Sequence, residues 1–314
     1  MFAGLCTADF DAYASNKWKS NVFNRERLEV KQKLCTLGRE IAAGLTAADG
    51  SPLSLEASAE HPAQWNHKQV EAQHIFLSRN EEARKELDRI IVRTQTMASL
   101  IEDPTPQRNH LFLAVTVAFD HAEVSLKLHP DARVDRQNLE RRSADHFEHE
   151  KLVDLLRGLP QPFHFGVTGS TTAPTSSAAP ESAAEWIAHL ATPSPLMGPQ
   201  KLLYIGSRAD RNEAIAAGPA FAEQTRASLL ALLPLYHYIA WTRDNDFVSM
   251  RETLQQEKQA RRQRGLAKQD EVRIVRGMFA GKSGIVQDVD ARGGLKVMIG
   301  KMAVKVAAED VEKR

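Results

Sequence analysis

The chain of 314 residues carries 41 Lys+Arg against 40 Asp+Glu, a net charge of +1, with 42% hydrophobic and 26% charged residues. This is the composition of a soluble globular protein, long enough for one large domain or two smaller ones. The balanced total argues against a dedicated nucleic-acid coat or a polybasic membrane binder.

The first residues, Met1 to Cys6, resemble the start of a lipoprotein leader. Five residues, none of them basic, leave no room for the basic and apolar regions that a leader needs. Cys6 and Cys35 are too few for a disulfide framework or a four-ligand zinc site, and are read as reduced thiols of a cytoplasmic protein. Thr7 and Asp9 are suited to capping a short helix that carries Phe10 and Tyr13. Arg25 to Leu45 reads as an amphipathic helix with Leu28, Leu34, Cys35, Ile41 and Leu45 near one face, ended by turn residues from Ala47 to Pro52. His61, His67 and His74 flank Trp65 in a loop-to-strand stretch, with no carboxylate at a ligand spacing.

Gln73 to Leu77 is predicted as a short strand and Asn80 to Leu100 as a long helix, broken at Asp103-Pro-Thr-Pro106. From Asn109 the period becomes two. Leu111, Leu113, Val115, Val117 and Phe119 alternate, as do Ala122, Val124, Leu126 and Leu128, which predicts a β-hairpin turning at Asp120-His121. Its second strand places His121, Glu123, Ser125, Lys127 and His129 opposite the apolar set. These residue types suit acid–base or metal chemistry, but a half-solvated strand shows the same alternation, and that reading is taken.

Asp135 to Leu156 is predicted as one helix stopped by Gly158 and Pro160. His146, His149 and Glu150 share a face of it. A zincin needs His-Glu-x-x-His, and this spacing differs, so His146 is read as a partly buried structural histidine. Residues 166–184 hold no aromatic and read as a flexible linker or insertion. A helix at Ala184 to Leu190, a strand at Lys201 to Ile205 and a helix from Pro219 follow, with Pro234 expected to kink or end the last before Leu235 to Trp241. The run Ser228 to Trp241 is too short to span a bilayer. Gly206-Ser-Arg-Ala-Asp-Arg lacks the glycine spacing of a phosphate loop, although Arg208 and Arg211 are suited to holding an anion.

The remainder has a different grammar. Residues 249–264 form a polar, helix-favouring connector, and 266–314 show five short β-branched runs separated by Gly-containing turns. Residues 251–314 hold 15 basic against 9 acidic residues, and the preceding 250 hold 26 against 31. A −5 body therefore cancels a +6 tail, and the global balance excludes nothing about polyanionic partners.

The stretch from Val272 to Asp290, with Gly277, Gly281 and Gly284 at its turns, resembles the KOW motif of NusG-type elongation factors and several ribosomal proteins. Leu295 to Val306 and Glu309 to Glu312 are similar to the closing strands of such a domain. The resemblance implies a small SH3-like β-barrel docking on RNA, the ribosome or RNA polymerase. Its candidate contacts are Arg273, Arg276, Lys282, Lys296, Lys301 and Lys305, extended by Arg261, Arg262 and Arg264 on the connector. Phe279 is the module's sole aromatic, so base stacking is not expected to dominate.

The start of the body, Asp9-Phe-Asp-Ala-Tyr13, then Arg27 and Lys33-Leu-Cys-Thr-Leu-Gly38, resembles the uncharacterised YktB-like α+β family, which implies an architecture and no mechanism. The expected organisation is an α+β body at 1–250, a helical connector at 251–265 and the barrel at 266–314. The expected function is non-catalytic binding in the cytoplasm, without cofactor, metal or membrane. The alternative is an enzyme or small-ligand sensor in the body, with the barrel as its targeting module.

Overall fold

The computed structural model describes residues 1–47, 49–63, 66, 68–91, 109–160, 162–168, 179–191, 202–248, 269–275, 277, 279–289, 294–300, 302–307 and 310–313. The protein is α+β and divides into two units, Met1–Val248 and Ser249–Arg314.

The first unit is built on a six-stranded antiparallel sheet. Its strands are β1 (Ser54–Ala57), β2 (Ala72–Ser78), β3 (Phe112–Ala118), β4 (His121–Leu128), β5 (Phe163–Thr168) and β6 (Leu202–Asp210), in the order β1-β2-β3-β4-β6-β5. β6 is inserted between β4 and β5, so the chain beyond the 166–184 stretch completes the first body rather than forming another. The alternating apolar residues make one face. Ile75, Val115 and Val124 stand side by side on β2, β3 and β4, and Leu126, Ile205 and Phe165 do so on β4, β6 and β5.

The unit's helices are α1 (Thr7–Asp11), α2 (Asn24–Ile41), α3 (Glu81–Ile91), α4 (Arg133–Ser143), α5 (His146–Arg157), α6 (Ala183–Ala191), α7 (Arg211–Ala217) and α8 (Phe221–Ile239). α2 and α8 place Leu34, Leu37, Ile41, Leu229, Leu232 and Leu235 in one core with Ile75, Val115, Leu126 and Ile205. The inward row of α2 runs Arg27, Val30, Leu34, Leu37, Gly38 and Ile41; it keeps Leu34 and Ile41 of the expected row, leaves Cys35 half-buried at its edge and leaves Leu28 40% exposed.

Several expectations are corrected. The N-cap of α1 is Cys6, whose backbone N–H donates to Asp9, while Thr7 is already helical. The predicted 135–156 helix is two helices, because Asp145 accepts from the backbone N–H groups of Phe147 and Glu148 and starts a new one. Pro234 does not end α8. The carbonyl it leaves unbonded belongs to exposed Leu230, and the buried row of Leu229, Leu232, Leu235, Tyr236 and Ile239 holds the helix in place. The hairpin turns through Phe119-Asp120, which leaves Phe119 46% exposed. Gly166–Thr168, expected in the linker, belong to β5, since pairing with Tyr204, Leu203 and Leu202 satisfies the backbone whatever the side chains. Pro180–Ser182, at its other end, form a 3-10 turn leading into α6.

One buried ion pair ties the unit together. Arg79 donates to Asp135 Oδ1 at 2.6 Å, the Trp241 N–H donates to the same oxygen at 2.9 Å, and the Leu111 N–H donates to Oδ2 at 2.8 Å.

The second unit is a five-stranded antiparallel sheet of β7 (Glu271–Ile274), β8 (Ser283–Val289), β9 (Gly294–Ile299), β10 (Met302–Ala307) and β11 (Val311–Lys313), in the order β10-β9-β8-β7-β11. Val272, Ile274, Val286, Leu295, Val297 and Val311 make a separate small core. Gly284 is required by a close approach: a Cβ there would lie 2.5 Å from the Met298 carbonyl oxygen across the β8–β9 ladder. The 251–265 connector lies outside the described residues.

Candidate functional sites

In the second unit the alternation that buries Leu295 and Val297 leaves Lys296 exposed, and β10 leaves Lys305 exposed. The β9–β10 register sets Lys305 directly opposite Lys296. On its other side Lys296 faces Asp288, just past a bulge in β8. Two like charges across a ladder repel, and a pairing of this kind costs a few tenths of a kcal/mol unless an anion lies over it. Arg273 is exposed on β7 opposite Glu312, and Lys282 is exposed at the β7–β8 turn, so neither joins the lysine pair. Arg261, Arg262, Arg264, Arg276 and Lys301 lie outside the described residues. Ile285 and Met302 are more than half exposed, while Phe279 is half-buried against the core.

The second arrangement is the polar face of the six-stranded sheet. A half-solvated β4 was the expectation, but Glu123, Ser125 and Lys127 are 2%, 0% and 5% exposed. The register lines up His74, Thr116, Glu123 and Arg208 across β2, β3, β4 and β6. His74 Nδ1 is 2.8 Å from Thr116 Oγ1. The Glu123 carboxylate lies 2.7 Å from Lys127 Nζ, accepts from Ser125 Oγ at 2.9 Å, and accepts from Arg208 Nε at 3.1 Å.

Burial alone would push the Glu123 carboxyl up. The charges of Lys127 and Arg208 and the hydrogen bonds of Lys127 and Ser125 outweigh it and hold the pKa at about 2. Burial pushes His74 down to about 3, assisted by the Lys127 ammonium and His121 against the opposing pull of Glu123. At neutral pH the Glu123 carboxyl is therefore ionised and the His74 imidazole neutral. Tyr204 stands beside Lys127, whose Nζ lies 5.6 Å from the ring centroid, and burial and Glu123 raise its hydroxyl well above the ordinary phenol range.

The other expected histidine features do not assemble. His146 is 78% exposed at the surface of α5, 3.5 Å from Glu150, because the new helix start at Asp145 rotates it away from the core. Among the described residues no group of His, Cys, Asp and Glu is placed to hold a metal ion. Trp65 and His67 lie outside the described residues. Arg208 and Arg211 part company, because β6 extends through Asp210. Arg208 turns to Glu123, whereas Arg211 meets Asp11 at 2.8 Å and donates to the Thr7 carbonyl at 3.2 Å. Among the described residues no helix is long and apolar enough to cross a membrane. No protein-family model matches this chain, and comparison with curated proteins finds no match.

Proposed function

We propose that the second unit is a docking module of a non-catalytic cytoplasmic protein, and that it binds a polyanionic surface of RNA, the ribosome or RNA polymerase. The observation that carries this reading is the exposed Lys296–Lys305 pair, two ammonium groups side by side on neighbouring strands. The KOW-like sequence pattern and the +6 charge of residues 251–314 support it. Contacts of this kind draw affinity from phosphate neutralisation, and the positive field speeds encounter.

The test is binding of the full-length chain to single-stranded RNA over a range of salt concentrations, compared with a K296Q/K305Q variant. Affinity should fall steeply with salt, and the double substitution should lower the log–log slope by about 1.4, at about 0.7 per phosphate contact. No binding at low salt, or an unchanged slope in the variant, refutes direct nucleic-acid contact. Capture of partners from lysate with and without nuclease then separates an RNA-borne partner from a protein one.

A further inference from the structure

We propose that the face of the five-stranded sheet turned away from its core docks an acidic protein segment. Apolar side chains of that segment cover a row formed by Ile285, Met298 and Ala303, and its carboxylates meet Lys296 and Lys305. Such a surface depends on the reading of the second unit as a docking module, and it names the partner.

Register builds the surface. Val272, Val286, Leu295 and Val297 point into the small core, so the residues that alternate with them line the opposite face. Ile285 of β8 stands opposite Met298 of β9, and Met298 stands opposite Ala303 of β10. Neighbouring strands lie about 4.8 Å apart, so the three make a continuous apolar row across the sheet. Ile285 is 52% exposed, Ala303 is exposed and Met298 is half-buried. Two residues along the same strands, about 7 Å away, Lys296 and Lys305 form the next row. An exposed isoleucine alone is ordinary. Three apolar positions in register beside two ammonium groups make a surface with two chemistries.

Charge decides the occupant. Neither lysine makes an ion pair among the described residues, and both are exposed. Asp288 ends the lysine row on β8, and Glu271 ends the apolar row on β7. A nucleic-acid strand carries a charge at every nucleotide and would set phosphates against these two carboxylates. The described residues of this face also include no aromatic on which a base could stack. A protein segment places its carboxylates singly, over the β9–β10 side, and lays apolar side chains on the row beside them.

The experiment selects binders of the full-length chain from a random peptide library. Fluorescence anisotropy then measures the enriched peptides against the chain and its I285T, A303E and K296Q/K305Q variants. Threonine keeps a β-branched residue at an exposed strand position, and A303E tests the same row from β10 should I285T fold poorly. The enriched peptides should be acidic and carry apolar residues. I285T and A303E should each weaken them about tenfold, and K296Q/K305Q about fivefold at low salt and less at high salt. No enrichment, enriched peptides without acidic residues, or affinities that the row variants or the lysine variant leave unchanged overturn the proposal. Single-stranded RNA in the same assay separates it from the docking reading. RNA held through Lys296 and Lys305 with no peptide enriched overturns the acidic protein partner and leaves the docking module standing. Binding of neither overturns both.

Discussion

Asp135→Ala is expected to destabilise the first unit by about 3–5 kcal/mol, the range for breaking a buried ion pair from one side. Domains of this size are stable by about 5–15 kcal/mol, so the loss is a large share of the total. Its two oxygens collect Arg79 and the backbone N–H groups of Leu111 and Trp241, drawing together the end of β2, the start of β3, α4 and the end of α8. Arg79 is 4% exposed, and its other contacts, His110 Nδ1 and the Trp241 carbonyl, cannot balance its charge. Alanine thus strands a buried guanidinium and two backbone donors together. Asp135→Asn tests the same geometry more gently, since one of its two positions becomes a donor facing a donor, either the Leu111 N–H or the Arg79 and Trp241 pair. All four tryptophans lie in the first unit, so denaturant unfolding followed by their fluorescence reads its stability. A loss below about 1 kcal/mol for Asp135→Ala would mean that the pair is replaceable and that helix packing alone holds the sheet to α8.

The periodicity of β3 and β4 was legible because one face is uniformly apolar: Leu113, Val115 and Val117 opposite Leu126, Val124 and Ala122. Alternation reports that two faces differ. It does not report whether the polar one meets water, and that is why the burial of Glu123 and Lys127 could not be read from it. The length of β6 was hidden for a related reason. Gly206-Ser-Arg looks like a turn after Ile205, yet pairing with both β4 and β5 keeps the strand going to Asp210 and brings Tyr204 and Arg208 to one face. β1 escaped notice because it has only four residues, and the two that face the core, Leu55 and Ala57, are too few to show a period. In the second unit the short β-branched runs and glycines marked out five strands, and the lysine pair was within reach. The pairing of Ile299 with Met302 fixes the register and sets Lys296 against Lys305. What was lacking was the step from strand assignment to register.

Acid should weaken the first unit well above the range in which carboxylates titrate, and His74 is the cause. Its folded pKa lies at about 3, below the ordinary histidine value of 6.5, because burial, the Lys127 ammonium and His121 oppose a second charge, while Glu123 favours one too weakly to prevail. Below pH 6.5 the unfolded chain takes up a proton that the folded chain refuses, so stability is complete above 6.5 and declines as pH falls towards 3. Glu123 works the same way in a lower window. Its stabilisation is present above the unfolded carboxyl value of 4.5 and is lost as pH falls towards about 2. Between pH 6.5 and 4.5 the row therefore loses stability through His74 alone. At about 1.4 kcal/mol per pH unit the full span would approach 3 kcal/mol, and the partial exposure of the residue reduces this to about 2 kcal/mol. Denaturant unfolding at pH 7 and pH 4.5 measures the difference directly. His74→Gln keeps a polar group within reach of Thr116 but cannot titrate, so its stability should change by about 2 kcal/mol less between the two conditions. An equal loss in both chains would place the acid sensitivity outside this row. A loss confined to the unaltered chain would identify the neutral imidazole as the group that sets the acid limit of the fold.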